Sequence, residues 1–504
     1  MCNHQAATSH HQDLRDLNRS ADEETLKHFG YRQELKRTLG SFSSFAVSFS
    51  IISVTTGLFA NYGDGLRTAG PAFIWTWPLV GAGQFLVALV FARLAEAIPL
   101  SGYAYQWTRH LAGHRLAWWA GWMMTIQFIT GMPGACYALA TYLVVYLGVE
   151  PSIRNVVLVT IGVIVVIALI NHYGVRLASL VNNVSVVAEI LGTILIGLLL
   201  LAVALWRHTN SFGFLFSHPH QVPGLGYLSV FAFSALMSAW TINGFESAAN
   251  LSEETRNPAR HVPRAIVFSE VFSVVVGFLV LLGFTLAISN LQAVASNNTP
   301  LLVIIGSQFP PAVVNATMFA VFVSIFACAL ANMMALTRMV WAMARDRQLP
   351  ASAWLSQLSV HRVPVNAVLT VAVISSLIVL WAKFEVVIIG ISALAGYVTY
   401  AIVVGATVWN SRSPSREDRN ALSIAFTASL PNAPGASHRA GSPGKGFPLR
   451  LPKVLTWSAL IWILILLAML SLPRSARTNS VATLVAVGLG ALSHWYVRHG
   501  RQRA

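Results

Sequence analysis

Two clusters of small polar residues interrupt apolar segments in matching places, and both have the chemistry to hold a zwitterion. The first apolar segment runs from about Phe42 to Tyr62 and is interrupted by Ser53-Val54-Thr55-Thr56-Gly57. The sixth runs from about Gly226 to Asn250 and is interrupted by Thr241-Ile242-Asn243-Gly244-Phe245-Glu246. A helix broken at such a point frees backbone N–H groups at the start of its second half, and those groups, with the positive end of the helix dipole, bind anions. A carboxylate is therefore expected against the amides near Thr55, Thr56 and Gly57. Gly57 permits close backbone approach, and the threonine hydroxyls add donors. Free carbonyls at Ile52 and Ser53, and at Trp240 and Ile242, can accept from an ammonium group. The plainer reading is that these small residues only let helices pack closely; the recurrence of the break weighs against it.

Three carboxyl groups lie inside apolar segments, where an ionisable side chain is a functional hypothesis by default. Glu246, at the second break with Asn243 and Gly244, can bind a cationic group, carry a proton, or tie the break to segment ten. Glu189 lies within segment five. Its ionised form is costly in an apolar setting, so a change of conformation or solvent access can make it take up or release a proton. Glu189 and Glu246 are the candidate coupling residues. Glu270, in segment seven, is a weaker candidate that lines a cytoplasmic vestibule. Glu96, Glu253 and Glu254, near Arg93, Arg256 and Arg345, read as gate and loop ion pairs.

The elements that position these residues are membrane-spanning helices. Of the 504 residues, 55% are hydrophobic and only 10% charged, and the mean hydropathy is +0.63. Soluble domains carry about 25% charged residues. Apolar runs long enough to cross the ~30 Å hydrocarbon core centre near residues 52, 83, 131, 162, 193, 238, 276, 328, 373, 397, 462 and 488. In a membrane, polar breaks are tolerated only where the backbone lines a cavity or contacts protein. Paired breaks five helices apart imply an inverted repeat around a central site, the architecture of secondary transporters.

The net charge of +15 is distributed by topology. With the N-terminus cytoplasmic, 27 of the 33 lysines and arginines fall on the cytoplasmic side and 6 outside, as the positive-inside rule requires. Both termini are then cytoplasmic, in what reads as the plasma membrane. The expected units are a cytoplasmic tail (1–38), a ten-helix core (39–410, with repeats at about 39–206 and 226–410), a Ser/Pro/Arg-rich cytoplasmic linker (411–452), accessory helices eleven and twelve (453–497) and a basic tail (498–504). Asn297-Asn298-Thr299 matches a glycosylation sequon on the predicted outer face.

Other classes find little support. Metal or acyl-transfer chemistry needs clustered His, Asp or Cys, but the histidines lie almost wholly in tails and loops, with His172 at the end of segment four the closest exception. Cys2, Cys136 and Cys328 form no metal-binding pair, and no structural disulfide is expected. An enzyme, a catalytic residue, a metal site, a cofactor and a nucleic-acid partner are therefore not expected. A channel filter is not visible.

Four blocks resemble the amino acid/choline transporter family of the amino acid–polyamine–organocation superfamily, including permeases for γ-aminobutyrate. They are Phe49 to Gly57; Leu94-Ala95-Glu96-Ala97-Ile98-Pro99-Leu100-Ser101-Gly102-Tyr103-Ala104-Tyr105-Gln106-Trp107; Gly244-Phe245-Glu246 running into Leu251 to Pro258; and Ala344-Arg345-Asp346-Arg347-Gln348-Leu349-Pro350. They occur in family order and cover about residues 38 to 410. The resemblance implies an all-α membrane fold of twelve transmembrane helices: a leucine-transporter-like 5+5 inverted repeat plus two accessory helices. It implies a permease for amino acids or related amines, working by alternating access through symport or exchange. Members carry amino acids, γ-aminobutyrate, choline or polyamines, and these alternatives stay open here, as does a sensor with a transporter fold. Trp240 aligns with the family's aromatic gate over the substrate; Phe245, beside the second break, can line the side-chain pocket. Several members place in helix five a lysine that stands in for sodium; this chain has Glu189 in that helix, which departs from that scheme and favours a proton, with sodium as the alternative coupling ion. The expected partners are the amino acid or amine, the coupling ion and the lipid bilayer.

The charge asymmetry has a direct test. Single cysteines replacing Gln12 and Leu430 should resist an impermeant thiol reagent in intact cells, while one replacing Asn298 should react. Labelling at Leu430 from outside overturns the topology.

Overall fold

The computed structural model describes residues 22–173, 175–218, 226–360, 362–382, 385–410, 451–473 and 476–503. It contains twelve helices long and apolar enough to cross a membrane: α1 (Ser41–Ala69), α2 (Pro71–Ala97), α3 (His114–Tyr146), α4 (Ile153–His172), α5 (Leu180–Arg207), α6 (Tyr227–Glu254), α7 (Pro258–Leu286), α8 (Pro311–Arg345), α9 (Val365–Ala382), α10 (Glu385–Asn410), α11 (Lys453–Ser471) and α12 (Arg477–Val497). Every expected segment centre falls inside one of them. Lys383 and Phe384, between α9 and α10, lie outside the described residues. The last helix continues to Arg503, into the stretch expected to be a tail. Of the expected linker only Leu451 and Pro452 are described, and Cys2 and residues 1–21 lie outside the described residues. Cys136 and Cys328 are buried free thiols.

Both interruptions are present, and both are narrower than the sequence suggests. α1a (Ser41–Ile52) and α1b (Val54–Ala69) are separated by Ser53 alone. Ser53 has φ 20° and ψ 94°, and its hydroxyl accepts from Thr56 N, capping α1b. A serine at a positive φ is strained; the cap it provides holds it there. Thr55, Thr56 and Gly57, expected within the break, are already helical. α6a (Tyr227–Thr241) stops before Ile242, and α6b (Phe245–Glu254) begins after Gly244, whose φ of 96° suits only glycine. α6b is wound as a tighter 3₁₀ helix and leaves helical geometry at Leu251. α1b packs on α6a and α1a on α6b, so the two broken helices run antiparallel, as related elements of an inverted repeat must.

α5 carries a local irregularity where it matters. Directly after Glu189, residues Ile190–Ile194 form one π-helical turn. Such turns insert a residue, re-aim neighbouring side chains and occur often at functional sites. Two glycines let α5 approach its neighbours: a Cβ at Gly192 would overlap Ala320 of α8, and one at Gly197 would overlap Val280 of α7.

One face of the bundle is closed by charge pairs and by the segment before α1. Residues 22–28 form a short helix. Thr38 N and Leu39 N then donate to Glu254 O, Arg256 N donates to Leu39 O, and Arg37 donates to Thr255 O at 2.6 Å. The Arg345 guanidinium grips Glu253 through two bonds of 3.0 and 3.1 Å. Arg338 meets Glu254 at 2.7 Å. The expected gate pairs are thus present, with the correction that Glu254 takes Arg338 from inside α8. Glu96 pairs with Arg93 at 3.0 Å on the exposed surface. Ser101 and Glu253 exchange bonds, each backbone N–H donating to the other's side chain at 3.2 Å. Asp346 accepts from Tyr31, Tyr105 and Arg109. The Tyr31 hydroxyl is pushed up to about 12, first by burial and then by the Asp346 charge, so at neutral pH it remains a donor.

The Arg338–Glu254 side chains are 2% and 3% exposed, so removing one partner strands a buried charge at a cost of about 3–5 kcal/mol. Arg338→Met should lower the thermal unfolding midpoint of the detergent-solubilised protein strongly. Arg93→Met, which breaks an exposed pair worth about 0–1 kcal/mol, should barely move it. Equal shifts would show that the buried pair is not structural.

Candidate functional site

Between the two breaks lies a small cavity of about 30 Å³ lined by Ile51, Ile52 and Thr56 of α1, Trp240, Thr241 and Asn243 of α6, Gln127, Phe128 and Gly131 of α3, Cys328 and Asn332 of α8, and Ser392 of α10. The lining combines aliphatic and aromatic surface with hydroxyls and amides, and no charged side chain reaches it. Gln127 Nε2 donates to Asn243 Oδ1 at 2.6 Å, and the Tyr400 hydroxyl oxygen lies 3.0 Å from the same atom. Gln127 Oε1 and Asn243 Nδ2 have no partner, so one amide acceptor and one amide donor stand ready beside the cavity.

Of the residues expected to touch substrate, Ile52, Thr56, Trp240 and Asn243 line this cavity, while others are engaged elsewhere. Glu189 reaches across from α5 to the α1 break. One of its carboxylate oxygens accepts from Thr55 N at 3.1 Å, Thr55 Oγ1 at 3.1 Å and Ser53 Oγ at 3.2 Å. Thr56 N and Oγ1 donate to Ser53 Oγ at 3.1 and 2.8 Å, and Gly57 N donates to Ser53 O. The three amides expected to cradle a carboxylate do bind one at Thr55, and it is the protein's own. Gly57 serves close packing: a Cβ there would collide with the Thr241 side chain. The Ile242 carbonyl accepts from Gln84 Nε2 at 3.0 Å.

Glu246 turns away from the cavity. Its two oxygens accept from Tyr103 OH and Tyr400 OH, each at 2.5 Å, which ties the α6 break to α10 and to the short helix Tyr103–Ala112. Gly244 N donates to Tyr400 OH at 3.2 Å. Phe245 is fully buried and packs against Phe91 and Tyr400, off the cavity. Glu270 is fully buried; the expected vestibule position is replaced by one in the bundle interior. Gln127 and Ser392 were not singled out from sequence. They are ordinary polar residues in unbroken helices, and only their shared buried face marks them.

A model of the amino acid permease family matches residues 39–492, the whole bundle from the first helix nearly to the end of the last. The chain belongs to the amino acid permease family. The permease is 28% identical to the amino-acid permease BAT1 of Arabidopsis thaliana over 511 residues, covering 93% of each chain. It is 27% identical to the BAT1 homolog of Oryza sativa subsp. japonica over 508 residues, covering 93% of this chain and 92% of that one. It is 27% identical to amino-acid permease 2 of Neurospora crassa over 377 residues, or 71% and 68% of the two chains. The permease is thus an integral, multi-pass amino acid transporter of the bilayer, with the twelve-helix fold its family resemblance implies.

The Gly57–Thr241 contact separates a packing role from a substrate role. Gly57→Val should abolish uptake while the permease still reaches the membrane. Gly57→Ala should also lose most uptake, and adding Thr241→Gly, which removes the Thr241 Cβ that the new methyl group would meet at 2.5 Å, should restore a substantial part. Normal uptake by Gly57→Val would show that this close approach is dispensable.

Proposed function

We propose that the permease carries small zwitterionic amino acids by alternating access, in symport with protons, and that Glu189 is the coupling residue. The observation that carries this reading is the bond from Thr55 N to the Glu189 carboxylate. An ionised carboxylate at a helix N-terminus is held by charge-assisted bonds and by the helix dipole. A neutral carboxyl group holds that place more weakly. Proton uptake at Glu189 therefore loosens α1b from α5 and releases the Thr55 amide and hydroxyl, while proton loss docks them again. The π-helical turn after Glu189 supports the same reading, because it aims the carboxyl at the break.

The cavity supports the substrate class. Its lining is free of charged side chains, which suits a molecule that carries both charges itself, and the unpartnered amide atoms of Gln127 and Asn243 supply a polar contact of each kind. A volume of about 30 Å³ holds roughly one or two waters, so admitting an amino acid requires the helices around it to move. We assign Ile52, Ser53, Thr55, Thr56, Gly57, Trp240, Ile242, Asn243, Gly244, Phe245 and Glu246 to the moving walls of the substrate site, with Thr56, Trp240 and Asn243 in direct contact. The closed face, with both termini, is taken as cytoplasmic on the strength of the cation distribution.

Glu189→Gln keeps the shape of the side chain and removes its titration. In proteoliposomes this variant should lose proton-driven accumulation and its pH dependence while retaining substrate counterflow. Accumulation equal to the unaltered permease, with the same pH profile, would make Glu189 a structural cap and move coupling elsewhere.

A further inference from the structure

One buried carboxyl group is not used by the site described above. Glu270, on the inward face of α7, is fully buried, and neither of its oxygens has a hydrogen-bond partner. Removing a carboxylate from water without a partner costs several kcal/mol, so such a group needs a proton or a cation.

Its surroundings identify what it lacks. α2 and α7 pack in antiparallel register: a Cβ at Gly277 would meet the Trp77 indole, one at Gly81 would meet Val274, and Trp77 Nε1 donates to Val274 O at 2.9 Å. One further turn along α2 from Gly81, and one turn back along α7 from Val274, brings Gln84 level with Glu270. Gln84 is fully buried; its Nε2 is committed to Tyr397 OH at 2.6 Å and to Ile242 O, and its Oε1 has no partner. Tyr397 lies within electrostatic reach of Glu270. Ser273, one turn along α7, is also fully buried with its hydroxyl unpartnered. The charged or titratable groups facing Glu270 are Glu246 from α6 and Tyr397 from α10. α1a has no ionisable residue, and those of α2 (Arg93 and Glu96) lie at its far end.

We propose that Glu270, Gln84 and Ser273 form a binding site for a hard monovalent cation, a proton or sodium, between α2 and α7 beside the α6 break. The unpartnered atoms are all oxygens. The α2–α7 register puts these four buried oxygens on neighbouring turns, and each lacks a partner; closing around added positive charge would satisfy them together. A proton converts Glu270 to a carboxyl whose O–H donates to Gln84 Oε1. Sodium is met by a carboxylate, an amide oxygen and a hydroxyl, the hard oxygen ligands that such ions take. The site reaches the transport machinery through one side chain. Gln84 uses its amide nitrogen to hold the Ile242 carbonyl at the α6 break, so a cation drawing on its amide oxygen also polarises that bond. As a second coupling site it rests on the ion-coupled reading above; as a cation site it does not.

Infrared spectra of the full-length permease in liposomes, taken across the neutral pH range with and without sodium, test the site without turnover. If the cation is a proton, a neutral-carboxyl absorption present in the unaltered permease is lost in Glu270→Gln and is indifferent to sodium. If it is sodium, the absorption is absent with sodium, appears when sodium is withdrawn, and is again missing in Glu270→Gln. Gln84→Leu, which keeps the carboxyl group and removes its acceptor, should shift that absorption. Identical spectra for Glu270→Gln and the unaltered permease under all conditions, or an unshifted band in Gln84→Leu, would overturn the proposal. Glu189→Gln should keep the Glu270 absorption, so failure of coupling at Glu189 and failure of this site are read separately.

Discussion

Backbone that leaves a helix inside a membrane must find every hydrogen-bond partner within the protein, since hydrocarbon offers none. The rest of the bundle is arranged around that constraint at two points. At the α1 break the partners are Ser53, which caps α1b, and Glu189, which comes from α5 to take the Thr55 amide. At the α6 break they are Gln84 on Ile242 O and Tyr400 on Gly244 N. Each repair comes from a different helix, so the breaks bind α2, α5 and α10 to the centre. They also make the centre sensitive to any change in those side chains.

The same arrangement leaves the cavity between the breaks modest in size and free of charge. Carboxyl groups surround it at one remove: Glu189 behind α1, Glu246 behind α6, Glu270 between α2 and α7. Charge kept one layer away from the substrate governs the position of half-helices without fixing which amino acid side chain is accepted. On one face, the Arg345–Glu253 and Arg338–Glu254 pairs join α8 to the end of α6b, and the segment ending at Leu39 pairs beside them. Movement of α6b therefore has to disturb buried ion pairs, which gives the closed face a definite energetic threshold.

Much of this was legible in the residues. Hydrophobic runs set the number and place of the helices because a spanning helix must be long and apolar wherever it lies. Gly244 signalled its break because a φ of 96° excludes other residues. Pairing of Glu253 with Arg345 followed from opposite charges at helix ends. The exact extent of the breaks did not follow: a serine that caps its own half-helix shortens the first interruption to one residue, and capping depends on geometry that small polar residues share with ordinary helix interiors.

The sequence by itself determined a membrane bundle of twelve helices with two paired weak points, and which carboxyl groups had to be explained. Only the tertiary structure decided what each weak point faces. Glu189 and Thr55 are separated by 134 positions in the chain, Gln84 and Tyr397 by 313, and no local pattern encodes such pairings. They arise because packing brings particular faces of helices together, by glycines such as Gly57, Gly81 and Gly192 that allow close approach. Once that packing is set, a carboxylate rather than a substrate meets the Thr55 amide. Glu246 turns to two tyrosines, and Glu270 is left buried without a hydrogen-bond partner.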